Sequence, residues 1–250
     1  MEIYPAYLKV CTDAIKSDLV FKNFRNRPAY HSVVEGIPGW MGIEYVNYIE
    51  EHYPHLLLHL DKFLIGDQIG RPKMYYYPSL KVYMSSVTCR YIKILGDLTM
   101  LFGPLSSLDI VEIGAGYGGQ CKIIYDYIKP KSYTIIDLPP ALELTKKYLR
   151  QFGIKDVRFK SPQNDLFDRY SLCISNYAFS EFDRKYQDFY VDKVINNSER
   201  GYMICNFFGE NVIAERADCF TKEEIQKLKS SGEILPEEPC STKGNFLYIW

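Results

Sequence analysis

The chain has 250 residues and a formal net charge of −1, from 30 Lys and Arg against 31 Asp and Glu. That balance argues against a nucleic-acid protein, which carries a basic face. The 47% hydrophobic and 24% charged residues are those of a globular protein large enough for one α/β domain or a catalytic domain with a cap. Seven cysteines, with no C-x-x-C pair, are scattered along it; Cys121, Cys173 and Cys205 lie inside apolar runs and read as small buried hydrophobes of a reducing compartment. MEIYPAYLKV lacks the basic region and apolar core of a signal peptide, and no apolar run is long enough to span a membrane. A cytoplasmic protein is expected.

From Met1 to about Gly103 the pattern is mainly helical. The basic run KNFRNR, from Lys22, reads as a solvated turn, and VVEGIPGWMG as a Gly/Pro-rich turn carrying Trp40. EYVNYIEEHYPHLLLHLDKFL has apolar residues at helical spacing, broken at Pro54. MYYYPSLKVYMSSVTCRYIKILGDLTMLFG reads as a long helix opening after Pro78, with Ser79 as N-cap and Gly103-Pro104 as its stop.

From Leu105 strands and helices alternate. LDIVEI is a strand, followed by glycines and the apolar helix CKIIYDYI. SYTIID is the second strand, and PALELTKKYLRQFG a helix with Pro140 in its first turn and Gly153 at its end. VRFKS and YSLCISN are the third and fourth strands. An AFSEF turn, a helix from about Arg184 to Asn196 and the strand GYMICNFF follow. TKEEIQKLKSS is a helix with Thr221 and Glu224 as a capping box. GEILPEEP and NFLYIW form a closing antiparallel pair. The expected organisation is a helical cap over 1–104 and a Rossmann-like catalytic domain over 105–250.

LDIVEIGAGYGGQ organises the chain. Glycine tolerates positive φ and lets backbone approach a ligand. Asp137 ends the next strand, roughly 20 residues on, where an acid grips a ribose in nucleotide-binding α/β folds. Gly114, Gly116 and Gly119 satisfy the dinucleotide pattern G-x-G-x-x-G, while Glu112, Gly114, Gly116 and Gly118 satisfy the E-x-G-x-G-x-G of S-adenosylmethionine-dependent methyltransferases. The loop alone leaves both cofactors open. The closing strand pair favours the second, because a dinucleotide domain continues βα units.

SVTCRYIKILGDLTMLFG, VEIGAGYGGQ, YTIIDLPPALELTKKYL, SNYAFSEF, YQDFYVDKVINNSERGYMICN and NFLYIW together resemble a sugar O-methyltransferase family of class I S-adenosylmethionine-dependent enzymes, found with surface-polysaccharide genes. They cover roughly the last two thirds of the chain. The resemblance implies a seven-stranded, mostly parallel sheet with a C-terminal antiparallel hairpin. It also implies methyl transfer from S-adenosylmethionine to oxygen on a small acceptor. The expected acceptor, which the resemblance itself does not fix, is a sugar hydroxyl or a phosphate- or phosphoramidate-type oxygen of a capsule precursor, free or nucleotide-linked.

On that resemblance, Glu112 approaches the cationic methionyl end of the cofactor, and Gly114, Gly116 and Gly118 pass under its methionine and ribose. Asp137 accepts both ribose hydroxyls, since a carboxylate presents two oxygens to a diol. Leu138 sits at the adenine edge, and Gln163 or Asn164 bonds the purine amino group. Arg90 pairs with the cofactor carboxylate or an anionic acceptor. Asn176, Tyr177, Ser180 and Glu181 stand where this fold places methyl and acceptor, with Asn176 counted among the cofactor-binding residues. Glu181 is the first candidate base, His31 the alternative, and Tyr177 a further catalytic candidate.

His52, His55 and His59 suggest a metal by spacing, but Pro54 breaks the helix that would align them, and no metal is expected. The 22 tyrosines suit a small polar acceptor. The rivals are an NAD-dependent oxidoreductase and a non-catalytic module that kept the cofactor fold. A homo-oligomer is compatible with the sequence.

Overall fold

The computed structural model describes residues 3–162, 168–206 and 218–250. These divide into two compact units: one of Met1–Ser106, Gly116–Lys129 and Leu138–Asp156, the other of Ser107–Ala115, Pro130–Asp137 and Val157–Trp250.

The first unit is mainly helical. Its N-terminal helix α1 (Ile3–Lys16) buries Tyr7, Cys11 and Ala14 along one face. Helix α2 (Gly39–His52) buries Met41, Tyr45, Val46 and Ile49, and ends where Pro54 opens a 3₁₀ turn. Trp40 is in the first turn of α2 rather than in a loop, and is exposed.

The next segment corrects the sequence reading. Met74–Tyr77 (β1) and Val82–Ser85 (β2) form an antiparallel hairpin with Tyr76 opposite Tyr83, where one long helix was expected. Aromatic and β-branched residues on both sides of Pro78 favour strands, and Lys81 adopts φ +56° in the turn. The helix α3 (Ser86–Phe102) begins only after this. Ser85, not Ser79, caps it, accepting from the Thr88 amide at 3.1 Å. Gly103, at φ +75°, ends it as expected.

The unit is completed by α4 (Gly119–Tyr127) and α5 (Pro139–Arg150). Lys147 of α5 donates to the carbonyls of Ala14 and Ile15 at 3.1 and 3.3 Å. It thereby satisfies orphan acceptors at the end of α1.

The second unit carries a seven-stranded sheet. Its strands are β3 (Asp109–Ile113), β4 (Ser132–Ile136), β5 (Val157–Lys160), β6 (Tyr170–Asn176), β7 (Ser198–Cys205), β8 (Glu233–Pro236) and β9 (Phe246–Ile249). Their order is β5-β4-β3-β6-β7-β9-β8. The first five are parallel, and β9 runs antiparallel to both β7 and β8. This is the Rossmann-like class I methyltransferase fold, as expected. The central strands read as continuous apolar runs because they are buried nearly throughout.

Helix α6 (Arg184–Tyr190) continues into a π turn to Ile195. Helix α7 (Lys222–Gln226) begins with the expected Thr221–Glu224 capping box. The core of this unit gathers Val111, Ile113, Tyr190, Val194, Met203, Phe246 and Trp250. A Cβ on Gly201 would lie 2.0 Å from the Trp250 ring, so that glycine makes room for the indole. Among the described residues no helix is long and apolar enough to cross a membrane.

Candidate functional site

Parallel α/β sheets bind ligands outside the carboxyl ends of their strands, where strand order reverses. Here β3 lies between β4 and β6, so the order reverses on either side of it. Four strand ends of the sheet unit carry the candidate groups: Glu112 and Gly114 on β3, Asp137 after β4, the Asn176–Glu181 turn after β6, and Asn206 after β7.

Glu112 is 2% exposed. Its Oε2 accepts from the Tyr133 hydroxyl at 2.8 Å. Burial pushes its carboxyl up to about 7, with Tyr133 opposing and the Asp137 charge adding to the shift. A cation placed nearby would favour the ionised form, so the group is suited to a cationic ligand. Gly114 has φ +73°, and a Cβ there would lie 2.2 Å from the Ala178 Cβ. Its amide donates to the Ile136 carbonyl at 2.9 Å. Gly114 therefore serves close approach to the turn after β6 as well as the reversal of the chain. Asp137 is half-buried, and its amide donates to the Lys160 carbonyl at 3.3 Å.

The turn after β6 is held at several points. Ser175 Oγ accepts from the Phe179 amide at 3.1 Å and donates to the Ile113 carbonyl at 3.4 Å. Tyr177 sits at φ +68°, a costly conformation for a bulky side chain. Its hydroxyl donates to the buried Glu237. Glu237 also accepts from the Ser241 amide at 3.1 Å, the Ser241 hydroxyl at 2.8 Å and Asn245 at 3.1 Å. Ser180 Oγ donates to the Tyr177 carbonyl at 2.8 Å and accepts from the Asn206 amide at 3.1 Å. Asn206 Nδ2 donates to Glu181 Oε1 at 2.6 Å. Asn176 differs from its neighbours: both polar atoms of its side chain are buried with no hydrogen-bond partner among the described residues.

The remaining expected residues belong to the helical unit. Gly116, at φ +61°, is half-buried, and the atoms nearest a Cβ there belong to Val34 and the Tyr30 hydroxyl, none closer than 3.4 Å. Gly118 is buried in the left-handed region, and a Cβ there would lie 2.7 Å from the Thr145 methyl, so packing and φ together require glycine. Leu138 is the residue before α5, and half-buried. His31 opens a π-helical turn that ends on Glu35. Arg90 projects from α3 beside Tyr91, its guanidinium 5.6 Å from that ring. Gln163 and Asn164 lie outside the described residues. His52 packs on Tyr48 and His59 on Tyr127. Among the described residues no group of three His, Cys, Asp or Glu is placed to hold a metal ion.

Two groups escaped the sequence reading. Glu237 lies in a polar stretch whose pattern carries no sign of its tie to Tyr177. Arg25 stands in the basic run expected to be a solvated turn, yet it is fully buried. It donates to Glu35 at 2.6 and 3.2 Å, to Asp67 at 3.0 Å and to Ser85 at 3.2 Å, and lies 4.5 Å over the Tyr117 ring. Asp67 in turn accepts from the Ser85 amide at 2.7 Å and from Thr88 at 2.8 Å. The cluster thus joins the cap of α3 to a residue of the glycine loop.

The donor set of the sheet unit is compatible with S-adenosylmethionine: a buried carboxyl, a half-buried acid after β4, and an amide at the end of β6 whose two hydrogen-bonding atoms are buried with no partner among the described residues. No protein-family model matches the chain. It is 27% identical over 133 residues to a malonyl-[acyl-carrier protein] O-methyltransferase of Anoxybacillus flavithermus, covering 52% of this chain and 51% of that protein. The chain therefore spans about half of that relative's length. The PH0226 protein of Pyrococcus horikoshii shares its fold at a TM-score of 0.51 and 11% identity, over 66% of this chain and 91% of the other. The methyltransferase domain of bacterial CtHen1 gives 0.49 at 10% identity, over 64% and 96%.

Proposed function

We propose that the chain is an S-adenosylmethionine-dependent O-methyltransferase. Its acceptor is a small polar molecule, a sugar hydroxyl or a phosphate- or phosphoramidate-type oxygen of a capsule precursor. The observation that carries this reading is the placement of Glu112, Asp137 and Asn176 at the ends of three adjacent strands of a class I methyltransferase sheet. The methyltransferase name of the sequence relative agrees with it. The sugar or capsule acceptor rests on the family resemblance alone.

When bound, S-adenosylmethionine would supply an electrophilic methyl group to an acceptor oxygen, with S-adenosylhomocysteine as the leaving group. The chain's own residues bind and align. Asp137 takes the ribose hydroxyls, with Leu138 at the adenine edge. Glu112 lends negative charge beneath the methionyl end, and Gly114, Gly116 and Gly118 shape the loop. Arg90 meets a carboxylate or an anionic acceptor through its guanidinium. Alignment of oxygen, methyl and sulfur accounts for much of the rate.

A hydroxyl acceptor must also lose its proton as the C–O bond forms. Glu181 is the proposed base, held by Asn206, with His31 as the alternative. A phosphate-like acceptor needs no base. Tyr177, its hydroxyl given to Glu237, holds the turn in place.

Calorimetric titration with S-adenosylhomocysteine, with NAD in parallel, tests the cofactor. Micromolar binding of the first alone supports the reading; binding of NAD instead, or of neither, overturns it. Transfer of labelled methyl to sugar and phosphorylated acceptors then tests the substrate class.

A further inference from the structure

Exposed apolar side chains are unevenly placed on this protein. Of the ten large apolar or aromatic residues exposed among the described residues, five stand on the β1–β2 hairpin or at the start of α2: Trp40, Ile43, Met74, Tyr76 and Tyr83. Such a concentration marks a surface that meets something other than water. The hairpin lies on α2 through one face only. A Cβ on Gly39 would lie 2.5 Å from the Tyr75 ring, and one on Gly42 2.0 Å from the Tyr77 hydroxyl. Side chains alternate along a strand, so Met74 and Tyr76 point away from the helix. Tyr83, opposite Tyr76 in the register, points with them. The Tyr76 and Tyr83 rings lie 5.1 Å apart between centroids and are 49% and 65% exposed.

The charge of this segment is equally one-sided. Residues 68–96 contain Arg71, Lys73, Lys81, Arg90 and Lys93 and no acid, in a chain whose net charge is −1. Lys93 is paired with Asp97 on α3. Arg71, Lys73 and Lys81 are exposed, and none of the three forms a salt bridge among the described residues. Arg71 and Lys73 precede β1 and Lys81 lies in the turn before β2, so cations flank the tyrosine pair at both ends of the hairpin.

This chemistry selects an anionic, yielding surface. A second copy on the same face would bring the three cations against themselves, because a two-fold contact pairs a patch with its own copy. A small polar ligand needs polar groups converging on it in a cleft, whereas the outer face offers a thioether and two phenols on an exposed ribbon. A bilayer asks for neither. Its interface accepts aromatic rings with polar tips, and anionic headgroups draw lysine and arginine. We propose that the hairpin seats this protein on an anionic membrane surface. Met74, Tyr76 and Tyr83 enter the interface, while Arg71, Lys73 and Lys81 meet the headgroups. The attachment is peripheral and independent of the chemistry at the strand ends.

Co-sedimentation of the full chain with vesicles at low salt tests it. The protein should bind vesicles of phosphatidylglycerol mixed equally with phosphatidylcholine, and bind phosphatidylcholine alone roughly a hundredfold more weakly. Lys73→Gln with Lys81→Gln should weaken binding to the anionic vesicles roughly tenfold to thirtyfold. Tyr76→Ser with Tyr83→Ser, which leaves the charge alone, should weaken it roughly tenfold. Lys227→Gln with Lys243→Gln removes the same charge from exposed positions outside the hairpin and should bind as the wild type does. Thermal melting of each variant verifies the fold. Absence of binding, binding that ignores lipid charge, wild-type affinity in either hairpin variant, or an equal loss in the Lys227, Lys243 control would overturn the proposal. Dextran sulfate binding that the tyrosine variant loses to the same degree would overturn it too, making the hairpin a seat for a soluble polyanion. A dimer by light scattering that the tyrosine variant dissolves would assign the face to a second copy instead.

Discussion

Glu112 lies on β3 and Asp137 just after the adjacent β4, and their burial differs. Asp137 is half-buried, and the proposed function gives it the ribose diol. Its replacement by Ala should weaken S-adenosylhomocysteine roughly tenfold to a hundredfold, the loss of two hydrogen bonds to a charged acceptor. Unchanged affinity by calorimetry would move the ribose elsewhere. Glu112 is fully enclosed, and its carboxyl is pushed up to about 7 from 4.5. An acid raised in the folded state holds its proton there after the unfolded chain has released it. Its contribution to stability is therefore complete below about 4.5 and lost as the pH climbs to about 7, by roughly 3 kcal/mol. Urea unfolding of the free protein at pH 5 and pH 8 measures this. Glu112→Gln, which cannot ionise, should shrink the difference between the two pH values by about that amount, and an unaltered difference would remove Glu112 as its source.

At the scale of elements, what could be read from the sequence followed local periodicity. The seven strands, the cap at Thr221 and the stop at Gly103 all announce themselves within a few residues, through apolar runs, a capping box and a Gly-Pro pair. The β1–β2 hairpin did not, because apolar and aromatic residues from Met74 onward match helical spacing as well as strand alternation. The decision was made at a distance: Asp67 takes the Ser85 amide and hydroxyl and the Thr88 hydroxyl, fixing where α3 begins. Arg25 was hidden for the same reason, since its partners stand 10, 42 and 60 positions away. Removing it by Arg25→Met strands Glu35 and Asp67 as buried acids and should cost about 3–5 kcal/mol in urea unfolding. The double variant Arg25→Met, Glu35→Leu should recover most of that loss, because Asp67 retains its bonds to Ser85 and Thr88. If the double variant is no more stable than the single, the cost lies in the lost contact of Arg25 with Tyr117 and not in stranded charge.

At the scale of the whole molecule, the alternation of strands and helices and the closing antiparallel pair were legible because each βα step carries its own pattern; the order of the strands within the sheet was not. The partners of the candidate site residues were not, since hydrogen bonds such as Tyr177 to Glu237 join segments with no shared periodicity. The ligand itself offers the test that spans the chain. A ligand that binds only the folded protein stabilises it by mass action, by about 2.7 kcal/mol at a hundred times its dissociation constant. For a chain of this length each kcal/mol moves the melting point by about 2–4 °C, so saturating S-adenosylhomocysteine should raise it by roughly 5–10 °C. NAD at the same concentration should leave it unchanged. The glycine loop satisfies the patterns for both cofactors, and scanning calorimetry with each in turn separates them without any knowledge of the acceptor. A shift with NAD alone would make Asp137 the ribose ligand of a dinucleotide and return the chain to the oxidoreductases. A shift with S-adenosylhomocysteine alone would leave a methyltransferase whose acceptor could then be sought among sugars and phosphorylated precursors.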